Sequence, residues 1–242
     1  MTLSFKEDPI SQIPALMMLE KVGYTYLTPA EAMELRGGNT GNVLLEPILR
    51  EQLAKINTVQ VSSQRTTVFS EQNITAGIEA LRNLPMAEGY MTVSQVAYDL
   101  LTAGKTLEQI VDGDKKSYVM QYVDWKHIEN NAFHVTEEFA VSRTGMSDTY
   151  RPDIVLFVNG IPLCVIECKR PNLKDSLKQA ISQHLSNQKD DGIRSLYVYS
   201  ALLLATNVNE VSYAITATPE KFWSKWTEQF ADKMQRSYIA TS

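Results

Sequence analysis

The chain of 242 residues is 44% hydrophobic and 21% charged, with 11 Gly and 9 Pro, which excludes collagen-like, low-complexity and wholly disordered chains. Its length suffices for one large domain or two small ones with a sizeable core. The net charge of −5 excludes a domain that holds nucleic acid alone through a basic surplus, so the chain is either no nucleic-acid binder or one whose grip is supplied elsewhere.

The first half reads as helical. Pro9 to Val22 carries Ile10, Ile13, Leu16, Met17 and Leu19 at helical spacing and stops at Gly23. Thr28-Pro29-Ala30-Glu31 sets a cap, an early proline and a first-turn acid before a short second helix. Leu44–Ile56, Thr75–Leu84 and Val93–Leu101 are three further helices. The period then changes. Tyr118–Trp125, Phe133–Val141, Asp153–Val158, Leu163–Lys169, Leu196–Ala205 and Val211–Thr216 are rich in Val, Ile, Tyr and Phe between turn residues, and read as strands. Asp175 to Gln188, with Leu177, Ile181 and Leu185 four apart, reads as a helix, and a last helix is expected from Pro219. Strands enclosing a helix give an α/β core with a helical N-terminal flank. The expected division is one domain over 1–242, with a mainly helical flank over about 1–115 and the α/β core over about 116–242. Cys164 and Cys168 lie on one strand about 13 Å apart, too far for a disulfide. No apolar run reaches 18 residues and MTLSFKEDPI has no signal-peptide pattern, so no membrane is expected and the cytoplasm is the expected compartment.

The chemistry concentrates in TYRPDIVLFVNGIPLCVIECKRP, residues 149–171. Two apolar strands meet at Asn159-Gly160, a strong hairpin signal. Charge interrupts the apolarity only at the open end, with Arg151 and Asp153 opening the first strand and Glu167 and Lys169 closing the second. Residues two apart share a strand face, so Glu167 and Lys169 point one way and Cys168 the other. Asp153 joins them only on a condition. A strict two-residue turn pairs 158 with 161 and therefore 153 with 166, the wrong face. An odd loop or a bulge sets Asp153 opposite Glu167. Were the three to converge, two carboxylates would suit Mg²⁺, which completes its shell with waters and phosphate oxygens. The lysine would orient the attacking water or stabilise charge at phosphorus. A Glu-x-Lys triplet by itself is more often a solvated pair. Here it ends a strand that is otherwise wholly apolar, which favours a site.

Pro152-Asp153, thirteen residues, then Glu167-Cys168-Lys169 resembles the PD-(D/E)xK nuclease motif. More narrowly, DIVLFVNGIPLCVIECKRP resembles the N-terminal nuclease region of the restriction (R) subunit of type I restriction enzymes. EKVGYTYL, LLEPILREQLAKIN and LYVYSALLLATNVNEVSYAITATPEKFWSKW are similar to further segments of that region, so the likeness covers most of the chain. The resemblance implies a PD-(D/E)xK core, a mixed central sheet flanked by helices. It implies Asp153 and Glu167 as ligands of Mg²⁺, with Mn²⁺ as a substitute, and Lys169 as the catalytic lysine. It implies cleavage of double-stranded DNA without base readout, in complex with specificity and methylation subunits. A Gln-x-x-x-Tyr element of the family, implied to contact DNA, maps to Gln183, but Asn187 stands where the tyrosine would be. ATP would be used by a motor whose motifs are missing here, so the chain reads as part of a longer polypeptide. Ala103-Gly104-Lys105-Thr106 only resembles the tail of a phosphate loop, because Asp99 stands where its first glycine belongs and a helix precedes it. His127, His134 and His184 lack zinc spacing. Glu46 or Glu51 are candidates for an extra carboxylate, and Lys169, Arg170, Lys174 and Lys178 form the local basic cluster. Two alternatives stand: a free-standing repair or resolvase-type nuclease, and a non-catalytic docking module of the restriction complex.

Overall fold

The computed structural model describes residues 9–62, 64–170, 174–207 and 209–227. The flank opens with α1 (Pro9–Lys21), the short strand β1 (Thr25–Tyr26) and α2 (Pro29–Glu34). Helix α2 starts as its sequence demands. Thr28 Oγ1 accepts from the Glu31 N–H and the Glu31 carboxylate accepts from the Thr28 N–H at 2.8 Å, a reciprocal cap worth about 1 kcal/mol. Next come α3 (Glu46–Ile56), the hairpin β2 (Thr58–Ser62) and β3 (Arg65–Val68), then α4 (Glu71–Arg82) and α5 (Tyr90–Ala103). A second hairpin, β4 (Lys105–Val111) and β5 (Asp114–Met120), turns at Asp112-Gly113, both at positive φ (53° and 88°). Two hairpins thus accompany the expected helices, one between α3 and α4 and one after α5. The strand expected over Tyr118–Trp125 stops at Met120. Beyond it side chains replace the ladder: Asn57 bonds both the N–H and the C=O of Gln121, and the buried Tyr122 hydroxyl donates to the Gly77 carbonyl at 2.7 Å.

The second half adds β6 (Phe133–Glu137), β7 (Val141–Ser142), β8 (Thr149–Tyr150), β9 (Ile154–Val158) and β10 (Ile161–Cys168). There follow α6 (Ser176–Asn187), α7 (Arg194–Tyr197), β11 (Leu202–Thr206), β12 (Val211–Ala214) and β13 (Ser224–Lys225). The segment expected as one strand over Leu196–Ala205 begins as the short helix α7. Tyr197 and Tyr199 are buried there, and the Tyr199 hydroxyl bonds the Leu81 carbonyl, so an apolar run serves a helix and a strand in turn. The helix expected from Pro219 is a single 3-10 turn (Glu220–Phe222) before β13, and its continuation past 227 lies outside the described residues.

One mixed sheet runs β1-β6-β9-β10-β11-β12-β13. Pairs β1/β6 and β10/β11 are parallel and the others antiparallel, with α6 as the crossover between β10 and β11. Val155, Phe157, Val165 and Leu203 line one face and share a core with Leu45, Leu49, Leu53, Ile74 and Ile78 of the flank. Each such fully buried aliphatic contributes about 1.5–3 kcal/mol. On the other face Val135, Ile154, Leu156, Cys164 and Ile166 meet Leu16 of α1.

Candidate active site

The β9–β10 hairpin decides which side chains meet. Its turn is the two-residue kind, with Val158 paired to Ile161 and Asn159 and Gly160 at φ 53° and 79°. The register then shifts between Pro162 and Cys164, so that 156 pairs with 164, 155 with 165 and 154 with 166. Leu163 is the extra residue of a bulge. One step further along, Asp153 stands opposite Glu167, on the face shared with Val155 and Val165. The two-residue turn and the bulge occur together, and the bulge supplies the condition that the turn alone would deny.

The turn itself is fixed in the interior. Asn159 is fully buried, its amide donating to the Tyr122 carbonyl and to Asn131 Oδ1, while its own oxygen accepts from the Ala132 N–H. Gly160 presses against α3, and its carbonyl accepts from the Leu45 N–H at 2.9 Å.

At the open end the three charged groups converge. Asp153 is 7% exposed and its Oδ2 accepts from the Cys168 N–H at 2.7 Å. Lys169 Nζ lies 3.8 Å from the same oxygen. Glu167 is 0% exposed, and Oε1 accepts from Asn187 Nδ2 at 3.2 Å, while Oε2 is buried with no hydrogen-bond partner among the described residues. Burial first, and then the Asp153 charge beside it, push the Glu167 carboxyl well above the usual carboxylate range, with Lys169 opposing.

This donor set suits a hard divalent cation. Two carboxylates meet, and one buried oxygen lacks the partner that burial normally requires. Among the described residues no third His, Cys, Asp or Glu completes a protein-only cage, so such an ion would keep water or substrate oxygens.

Glu138 is a neighbour the sequence reading missed. It directly follows β6, in the left-handed region (φ 49°), and its N–H donates to the Asp153 carbonyl at 3.0 Å. Partial burial, then Asp153, raise its carboxyl, and a hydrogen bond from Gln12 of α1 opposes this. The signal is faint in sequence, because the strand expected through Val141 runs over it.

Other predicted positions fall elsewhere. Gln183 lies half-buried on α6, one turn before Asn187. Asn187 itself is buried against Glu167, so that position faces the carboxylate pair from within. Glu46 binds Arg82 at the start of α3, and the exposed Glu51 sits on the same helix, beside the hairpin's turn rather than its open end. Lys178 pairs with Asp175. Gly104 (φ 79°) terminates α5, and its N–H donates to the Leu100 carbonyl. Helix followed by strand is the reverse of a phosphate loop.

Residues 4–222 match the family model described as type I restriction enzyme R protein N terminus. The chain belongs to this family. Among its relatives, it is 32% identical over 209 residues to the type I restriction enzyme HindI endonuclease subunit of Haemophilus influenzae, covering 83% of this chain and 18% of that protein. It is 25% identical over 221 residues to a Methanocaldococcus jannaschii protein named for the MjaIXP type I restriction enzyme endonuclease subunit, covering 91% of this chain and 20% of the relative. This R protein N-terminal chain therefore spans about a fifth of the length of these relatives. No helix among the described residues is long and apolar enough to cross a membrane.

Proposed function

We propose that this R protein N-terminal chain is the metal-dependent endonuclease domain of a type I restriction enzyme, with a PD-(D/E)xK core, and hydrolyses phosphodiester bonds of double-stranded DNA. The observation that carries the reading is the bulged hairpin, which sets Asp153 opposite Glu167 with Lys169 3.8 Å from the aspartate. Asp153 and Glu167 would hold Mg²⁺, or Mn²⁺ in its place. The ion would lower the pKa of a bound water and offset charge on the scissile phosphate. Asp153 is kept in one orientation by the Cys168 N–H. Lys169, only 17% exposed at its side chain, holds its ammonium at the edge of the pair, where it would orient the attacking water and stabilise negative charge on phosphorus oxygens. Gln183, half-exposed on α6, would contact the DNA backbone near the cut.

Nothing in this set reads base edges, so the cleavage would be without sequence preference. The acidic chain, at net −5, would rely on specificity and methylation subunits to bring DNA, and on an ATP-driven motor elsewhere in the longer polypeptide. Such a complex would work in the cytoplasm.

Plasmid cleavage in Mn²⁺ at low salt tests the reading, comparing the native chain with Lys169→Ala. Nicking that disappears with the lysine is expected. Equal nicking by both would refute the assignment. Were neither to nick, the same substitution in the assembled enzyme should abolish restriction while ATP hydrolysis persists, and restriction that survives would favour the docking role.

A further inference from the structure

We infer that Asn187, Tyr197 and His184 form a positioning relay that clamps one oxygen of Glu167 and leaves the other for the cation. The inference rests on the reading of Glu167 as a metal ligand.

The direction of every hydrogen bond in the relay follows from its anchored end. The Leu204 carbonyl can only accept, so His184 Nε2, 2.9 Å away, carries the proton. His184 is fully buried, and burial first, with the Leu204 bond opposing, pushes its pKa down to about 4, so the imidazole is neutral and Nδ1 is an acceptor. Tyr197 Oη, 3.0 Å from Nδ1, must therefore donate to it. Its phenol, raised by burial, keeps that proton. Having spent its hydrogen on His184, Tyr197 Oη offers only lone pairs to Asn187. The Asn187 amide must then present its NH₂, 3.2 Å from Tyr197 Oη and 3.2 Å from Glu167 Oε1. A flipped amide would set its oxygen against two acceptors.

Packing holds the relay in place. The His184 ring lies edge-on to Tyr197 and 5.3 Å from the Trp223 ring, and Trp223 Nε1 donates to the Thr218 carbonyl. Three elements thus converge on one carboxylate: α6 through His184 and Asn187, α7 through Tyr197 and β11 through Leu204. The outcome at Glu167 is asymmetric. Oε1 is held by the Asn187 amide, whereas Oε2 meets no donor among the described residues and the Asp153 carboxyl is the acid beside Glu167, which is the state expected of a carboxylate that binds an ion through one oxygen.

The test measures Mn²⁺ binding to the full chain by the loss of the free-ion paramagnetic resonance signal, with thermal unfolding followed in parallel. Glu167→Gln, Asn187→Ala and Tyr197→Phe are compared with the native chain. Tyr197→Phe removes a single oxygen and keeps the ring's packing, so it reports even were Asn187→Ala to unfold. The relay requires Tyr197→Phe and Asn187→Ala each to weaken Mn²⁺ binding about 10-fold, the lower end of what outer-shell partners contribute. Weakened binding in Glu167→Gln with unchanged binding in the other two would overturn the relay alone. Unchanged binding in all three would overturn the reading of Glu167 as a ligand, and the relay with it.

Discussion

His184 gives this fold a defined sensitivity to acid. An imidazole in the unfolded chain takes up its proton near pH 6.5, whereas in the folded chain burial lowers that value to about 4. Above pH 6.5 both states are neutral there and stability is full. As the pH falls from 6.5 toward 4 the unfolded state gains a proton that the folded state refuses, so stability is lost. A gap of about 2.5 in pKa corresponds to about 3 kcal/mol in full, of which about 2 kcal/mol is lost by pH 5. Against a typical total of about 5–15 kcal/mol this is a large share. Urea unfolding at pH 7.5 and pH 5 measures it, comparing the native chain with His184→Gln, which cannot titrate. The loss of stability between the two pH values should be smaller in the variant by about 2 kcal/mol. Carboxyls remote from His184 titrate alike in both proteins and cancel in that difference. Equal losses would refute the reasoning, because they would mean that His184 takes up its proton as readily folded as unfolded.

Two further outcomes follow from geometry already described. Gly160→Ala should lower stability by about 1–3 kcal/mol in thermal or urea unfolding, because φ is 79° and a Cβ would fall 2.6 Å from the Leu45 carbonyl and 3.1 Å from the Leu49 nitrogen. Cys164 and Cys168 are both buried, and burial raises the Cys164 thiol to about 12. Neither should react with a thiol reagent at pH 8 until the chain unfolds, and labelling faster than unfolding would count against the core as described.

Much of this architecture could be read from the residues, for reasons that also explain the failures. The helices α1 to α6 announce themselves through apolar spacing and through caps such as Thr28-Glu31, both local properties of the chain. The hairpin at Asn159-Gly160 was equally legible, since few residues tolerate two consecutive positive φ values. Asp112-Gly113 carries the same signal, yet its strands lie over a flank whose helices dominate the pattern; β4 alternates half-buried with exposed residues rather than apolar with polar, and β5 is exposed over its first four residues. Leu196–Ala205 failed differently, because an unbroken apolar run has no period with which to tell a turn of helix from a strand. At the site, Asp153, Glu167 and Lys169 were visible as charges ending apolar strands. The bulge was not, because nothing in Pro162-Leu163-Cys164 states which residue leaves the ladder. Asn187 was readable only as a departure from a tyrosine, since its contact with Glu167 depends on the tertiary placement of α6 over β10.

The extra residue at Leu163 turns the spacing of the two acids into a question of parity. With a two-residue turn and a straight ladder, facing residues differ in number by an odd count, and each single-residue bulge converts odd to even. Asp153 and Glu167 differ by fourteen, an even count, and one bulge reconciles it. A lone insertion or deletion that left both turn and bulge in place would therefore move one acid to the opposite face of the sheet, whereas a change compensated by gain or loss of a bulge would leave the two acids facing each other. Among related hairpins, those with an odd separation and the same turn should have lost the bulge, and those with an even separation should have kept one, whatever their residues are otherwise.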